Sequence, residues 1–523
     1  MNSKPFEIFS EYRAASDFKA GLGQRGMYEQ NRINERFYIG DQWYGAKCGN
    51  DRPLVRHNVI KRIGEYKMSQ ILSNPLTVSF SAEGVPTASD ATGKNREAGE
   101  INGVMAYLGG YYNVTAERVG LNRLYERVLR GAYVTGTGVL YTYWDGGIRT
   151  GLFADEEKTV PIRGDIACEV LNIENVFFGD PYTEQVQKQP YIIISSCRET
   201  DEVIREARRN GADIETLKTI EEDSADGKIT VLTKLYKEYK QGGDYTIKSV
   251  KVTENAVVRK DFDTGLRLYP LAVFSWERYG GIIYGESEIT YLIPNQIAIN
   301  RMITANVWSA MTSGMPMLVV NGDAVPDGIT NEPGQIIKVF GTNEEVAGAV
   351  RYVAPPDFSK NFDSSVQSLI ENTLTQSGAN EVALGDSRAD NATALMTMRD
   401  AAVMPLQIIK NRFYSFAEDI ARIWADFWIT CYGRRSLKLS DREGIRYVPF
   451  ESERLKGLII NAKIEAGAGT VYSERECTST LITLYEKGII DRVQLLKRLP
   501  DGTVPDKNGL ISDIKEEKAD DGL

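Results

Sequence analysis

The stretch from Tyr284 to Gly433 constrains this chain most, because long runs of helical periodicity alternate there with one compact, turn-rich insert. Ile289, Leu292, Ile293, Ile299, Ile303, Val307 and Met311 recur at helical spacing and predict a first arm. Pro294 falls inside that run, so a helix either starts there or kinks there. After Pro355-Pro356, Asp357 is placed to cap a second arm carrying Phe358, Phe362, Val366, Leu369, Ile370 and Leu374. Gly378 is placed to end it. A third arm is expected from near Asn391, repeating Leu395, Ala402, Leu406, Ile409, Phe413, Phe416, Ile420, Ile423 and Phe427 up to Gly433. Pro405 predicts a kink or break in it near Met404. Between the first two arms, 316–356 offers short strands at Met317–Val320, Gln335–Phe340 and Val350–Val353, separated by Asn321-Gly-Asp and Glu332-Pro-Gly turns. An insert of roughly 40 residues at the tip of two helices buries little on its own. Identical copies standing side by side would cover it.

At 523 residues the chain is long enough for two to four domains. Acidic residues outnumber basic ones, 72 to 62, for a net charge of −10, which argues against a general basic surface gripping nucleic acid. No run approaches the roughly 18 apolar residues of a spanning helix, so no membrane association is expected. The start, Met-Asn-Ser-Lys-Pro-Phe-Glu, lacks the apolar centre of a signal peptide, and synthesis and residence in a cytoplasm are the expectation. Five cysteines, at 48, 168, 197, 431 and 477, stand far apart, as buried reduced thiols would. With no CxxC and one histidine, His57, neither a zinc site nor any other metal centre is expected.

Along the chain, 1–36 is polar, mixed in charge and helical in character, and leads to the aromatic cluster Arg36–Trp43. A helix carrying Ile60, Ile63 and Ile71 stops at Asn74-Pro75 before an alternating strand of Leu76, Val78 and Phe80. A mobile Gly-rich loop is expected over 83–100 and a helix over 101–130. Tyr133–Trp144 reads as a strand, with Gly136 and Gly138 bending it. Further strands are predicted at 166–171, 190–197, 228–239, 245–252 and Leu271–Trp276, with a charged helix at 201–210. Strand character returns over 434–470, helix over 471–497, and a charged, frayed end from Asp513. The fold class is α+β.

Nucleophilic catalysis by Ser-His-Asp or Cys-His would have to use His57, which reads as a surface or capping residue. No GxSxG, HExxH or GxxxxGK[ST] occurs, so the chain supplies no phosphate-binding loop of an ATPase. No catalytic residue, no cofactor and no enzymatic activity are expected.

Four stretches carry a resemblance: Arg36-Phe-Tyr-Ile-Gly-Asp-Gln-Trp43 with the helix from Asn58 to Pro75; Asn175-Val-Phe-Phe-Gly-Asp-Pro181; Tyr284-Gly-Glu-Ser-Glu288 followed by Gln296 and Asn300; and Ser377-Gly378 to Met404, with Gly385 and Ala392–Met398. In that order and spacing, spanning about 30 to 435, the chain resembles the portal proteins of tailed double-stranded DNA bacteriophages, of the long-tailed type. The resemblance implies an α+β subunit with a mixed α/β wing, a long-helix stem, a small β-rich clip and a helical crown. The wing would take 1–285, the stem 286–315 and 357–378, the clip 316–356 and a tunnel loop 379–391. A long kinked helix and wing return would take 392–470, and the crown and tail 471–523.

Such subunits form a homo-oligomeric ring of about twelve copies at one capsid vertex of the virion, assembled in the host cytoplasm. DNA passes through the ring without sequence specificity. The implied partners are the terminase large subunit, the head–tail connector, the major capsid protein and the scaffold protein. Lys360, Asp386, Ser387, Arg388, Asp390 and Asn391 would then face the DNA channel, with Lys360 and Arg388 as sparse phosphate contacts. Their bland reading is solvated surface charge. Asn321, Asp323, Asp327, Asn331 and Glu332 would present the docking surface of the clip. Two rivals are a different ring-forming head–tail or tail component, which subunit counting separates, and a cytoplasmic enzyme with an unrecognised site, which a monomer or dimer would favour.

Overall fold

The computed structural model describes residues 4–45, 53–73, 76–83, 94–153, 159–240, 242–313, 317–320, 323, 340–353, 360–379, 404–441, 444–466, 471–499, 504, 509–511 and 513–514. Two helices open the chain, α1 (Pro5–Ala20) and α2 (Met27–Ile39), and Gly40, at φ +95°, closes the second. Lys19 pins α1. Its buried Nζ donates to the carbonyls of Ile173 (2.6 Å) and Val176 (2.7 Å) and lies 3.8 Å from the centre of the Phe177 ring. Desolvation pushes that amine well below its ordinary pKa.

Helix α3 (Val59–Leu72) is capped by Asn58, whose side chain accepts from Lys61 N, and strand β1 (Leu76–Glu83) follows it. Next come α4 (Lys94–Val119) and α5 (Leu121–Thr135), divided at Gly120 with φ +68°. Residues 94–100 are therefore helical where a loop was expected, and the helical character expected over 101–130 is carried by these two helices. Tyr133–Thr135 also belong to α5 and not to a strand. Gly136 is the left-handed residue that ends α5, and a Cβ there would stand 2.2 Å from the Gly285 carbonyl.

Strands β2 (Thr137–Phe153) and β3 (Pro161–Leu171) form a long antiparallel pair, followed by β4 (Val176–Phe178) and β5 (Tyr191–Glu199). The charged helix α6 (Thr200–Arg209) and α7 (Ile214–Glu222) precede β6 (Lys228–Tyr239), β7 (Tyr245–Val252), β8 (Val257–Asp263) and β9 (Leu271–Ser275). Strands β4 to β8 make a five-stranded antiparallel meander, while β9 joins the sheet of β2 and β3 in the order β3-β2-β9. A short pair, β10 (Glu277–Arg278) with β11 (Gly285–Glu286), turns the chain into α8 (Glu288–Ser313).

Strands β12 (Met317–Val320) and β13 (Val350–Val353) pair antiparallel in the insert, at the bounds the sequence predicts. The short helix α9 (Asn343–Ala349) between them was not expected. Of the expected strand Gln335–Phe340, only Phe340 is described, and it is exposed and outside any strand. Helix α10 (Lys360–Gln376) returns, and α11 (Gln407–Cys431) follows a short 3-10 turn at Met404–Leu406. Pro405 thus sits in the 3-10 turn from which α11 starts, while the residues before Met404, with the expected start of this arm near Asn391, lie outside the described residues. Strands β14 (Arg434–Asp441) and β15 (Gly444–Glu451) form a hairpin, and β16 (Ile459–Ala466) pairs with β1 across more than three hundred residues of chain. Helices α12 (Val471–Glu486) and α13 (Arg492–Arg498) follow.

One apolar core joins elements from Met27 to Ile464. Its centre is α11, whose Phe413, Phe416, Ile420, Trp424 and Trp428 are all buried. Fully burying a large apolar side chain is worth about 1.5–3 kcal/mol, so this one helix ties the N-terminal strands, the three-stranded sheet and the C-terminal return together. Among the described cysteines, Cys197 is exposed and Cys168 and Cys431 are half-buried free thiols. The expectation of uniformly buried thiols therefore fails at Cys197, whose position near the end of β5 leaves it facing solvent.

Candidate functional site

The base of the two arm helices is where the chain concentrates buried polar chemistry. Helix α8 starts at Glu288 because Ser287 caps it: its Oγ accepts from Ile289 N (3.1 Å) and donates to the Tyr133 carbonyl (2.6 Å). The Glu288 carboxylate accepts from Lys67 Nζ at 2.6 Å and from Trp276 Nε1 at 3.0 Å. That ion pair is largely buried, with side-chain exposures of 7% and 14%. It ties the first turn of α8 to α3 and to the end of β9.

Two turns further up, Gln296 and Asn300 are buried on the face of α8 turned to the segment before α3. Gln296 Oε1 accepts from Val59 N (3.0 Å), and its Nε2 donates to the His57 carbonyl (2.7 Å). Asn300 Oδ1 accepts from His57 N (3.0 Å), and its Nδ2 donates to Gln42 Oε1 (2.6 Å). Buried amides with every partner in place fix one register. The His57 side chain stays exposed while its backbone serves the clamp.

Helix α10 runs back along α8, and Asn295 Nδ2 meets Thr373 Oγ1 at 3.3 Å. Asn295 lies near the start of α8 and Thr373 near the end of α10, so the two helices are antiparallel. Continuous through Pro294, α8 has 26 residues, about 39 Å at 1.5 Å per residue. Gly378 ends α10 at φ +77°, and Ala379 N bonds back to the Leu374 carbonyl at 3.0 Å. A Cβ on Gly378 would lie 3.5 Å from the Pro405 ring. The chain thus leaves the described structure after Ala379 and re-enters at Met404 beside the point of departure. The pairing of β12 with β13 closes the insert in the same way at the far end.

Of the residues singled out in the sequence, Lys360 opens α10 and Asp323 sits in an exposed turn. Asn321, Asp327, Asn331, Glu332, Asp386, Ser387, Arg388, Asp390 and Asn391 lie outside the described residues, as does Asp357. The sequence reading missed Gln42, Lys67 and Trp276, because nothing in one sequence shows that they meet an arm more than two hundred positions away or, for Trp276, across a turn. Among the described residues, no group of three or more His, Cys, Asp or Glu could hold a metal ion, and no helix is long and apolar enough to cross a membrane.

No family model and no curated protein matches the chain. Solved structures that overlap it include a chain from the virion of a native gene transfer agent particle, at 11% identity and TM-score 0.37, covering 92% of this chain and 96% of that one. Another is from the neck of an empty gene transfer agent particle computed with C6 symmetry, at 12% identity and TM-score 0.36, covering 92% and 95%. Overlap this loose assigns no role to this chain.

Proposed function

We propose that this chain is a portal subunit of a tailed-phage-type particle, assembling with about eleven further copies into a ring through which double-stranded DNA is packaged and ejected. The observation that carries the reading is the clamped, antiparallel pair of arms. Glu288, Gln296 and Asn300 hold the base of α8 rigidly on the core, while the arms and their tip leave Tyr291, Met311 and Val319 more than half exposed. A two-helix projection has too little core of its own to hide such side chains. Neighbouring copies standing alongside would cover them.

In this reading α8 and α10 are the stem, 316–356 is the clip that docks the terminase large subunit and later the connector, and 379–391 narrows the channel. The wing meets the capsid and scaffold proteins, and the particle is the site of residence. The chain performs no catalysis. Electron micrographs of the purified protein should show annuli with a central channel, and a field of single compact particles would sink the proposal.

A further inference from the structure

Four arginines that the acidic composition conceals converge on one cleft. Arg25 lies in the turn between α1 and α2, Arg32 and Arg36 lie one turn apart on α2, and Arg301 faces them from α8. The cleft measures about 410 Å³, and its carboxylates among the described residues are Glu29 and Asp41. Neither neutralises it. Arg32 Nη2 meets Glu29 at 3.6 Å with both side chains about half exposed or more, and Arg36 Nε stands 4.0 Å from Asp41. Exposed or partly exposed pairs at such range are worth little. Arg25 and Arg301 have no carboxylate partner among the described residues. Four guanidiniums against two carboxylates leave a surplus of two positive charges in a chain whose total is −10.

Arg36 is also held in place. Its guanidinium lies 3.3 Å from the centre of the Tyr44 ring, which covers one face and leaves the N–H edge to meet an acceptor. On the cleft floor Gln42 and Asn300 bond to each other, so the demand for a partner comes from the guanidiniums.

We infer that this cleft receives a carboxylate-bearing surface of a second copy of the chain, which makes it one side of the contact between neighbours in the ring proposed above, on which this inference rests. Charge complementarity selects that occupant. The chain's overall excess is acidic, and exposed carboxylates such as Glu221, Glu222 and Asp226 are available on each copy. Planar guanidinium forks pair with carboxylates through two parallel hydrogen bonds. Duplex DNA fits less well, because Glu29 and Asp41 interrupt the basic lining and would repel a continuous run of phosphates. Arg301 stands on α8, the arm that must adjoin a neighbour.

The test compares a cleft variant, Arg25→Glu with Arg32→Glu and Arg301→Glu, against a control with the same change of charge on α6, Arg205→Glu with Arg208→Glu and Arg209→Glu. All six arginines are exposed, so both variants should fold. Matched circular dichroism and melting would establish that, and the neutral triple Gln variant of the cleft replaces the Glu variant if it does not fold. Sedimentation should show the wild type and the control as large assemblies. The cleft variant should remain a single chain or need at least about tenfold more protein to assemble. Equal assembly of both variants, or equal loss in both, would overturn the inference and leave the ring reading standing. A wild type that stays a single chain would overturn both. A short DNA duplex bound by the wild type and lost only in a cleft variant that still assembles would replace the second copy with nucleic acid.

Discussion

Glu288 shows at the scale of one residue how this chain turns a surface-type side chain into a structural one. Its carboxylate satisfies a buried lysine and a buried indole together, so truncation leaves Lys67 charged and unpaired in a low-dielectric site. Glu288→Ala should cost about 3–5 kcal/mol of stability, read as a lower urea midpoint, whereas Glu288→Gln, which keeps an acceptor for Trp276 Nε1, should cost less. Equal midpoints for Ala and wild type would show that the pair holds nothing. The thiols give a second residue-scale test. Burial pushes Cys168 and Cys431 up to about 11 from an ordinary value of 9.0. Between those values the folded chain keeps protons that the unfolded chain has released, so these groups lower stability as pH rises through that window. At pH 8 a thiol reagent followed by peptide mapping should label exposed Cys197 well before Cys168 and Cys431, which should stay unlabelled until the protein is unfolded.

Among the elements, the two excursions from the arms carry the functional predictions. Replacing Asp327–Asn331 with a Gly-Ser linker should leave assemblies intact and abolish terminase-driven packaging, and packaging at the normal rate would move docking elsewhere. Ala379 and Met404 re-enter the structure side by side at Gly378 and Pro405, so residues between them can be shortened without pulling on either helix. Shortening Asp386–Asp390 to two glycines should preserve assembly and early packaging but impair retention of full-length DNA; retention equal to wild type would reduce the segment to a connector. This is also the scale at which sequence and structure diverge. Strands β12 and β13 were legible because short β-branched runs are bounded by turn residues. Helix α9 was missed because seven residues show no period, although Thr342 followed by Glu345 was an available capping signal. Tyr133–Thr135 read as strand because aromatic and β-branched residues favour strands, but burial against α3 keeps them in α5 until Gly136. Within the site, the spacing of Gln296 and Asn300 put both on one helical face, yet their partners at Gln42 and His57 are set by tertiary folding alone.

At the scale of the whole molecule, a net-acidic chain leaves apolar side chains uncovered on its arm helices and their tip. A net charge of −10 on every copy would keep DNA from clinging to the assembly, so the free ring should bind duplex weakly and with little dependence on salt. The same charge would oppose association unless apolar burial and local basic patches outweighed it, as the exposed residues on α8 and the arginine cleft beside it would in the proposed ring. Both statements presuppose a closed assembly of identical chains. Native mass spectrometry of the purified full-length chain tests that directly. The account predicts one dominant species of about twelve subunits, with neighbouring counts of about 11 or 13 as minor variants. A stable monomer that melts cooperatively, with no larger species at micromolar concentration, would contradict it.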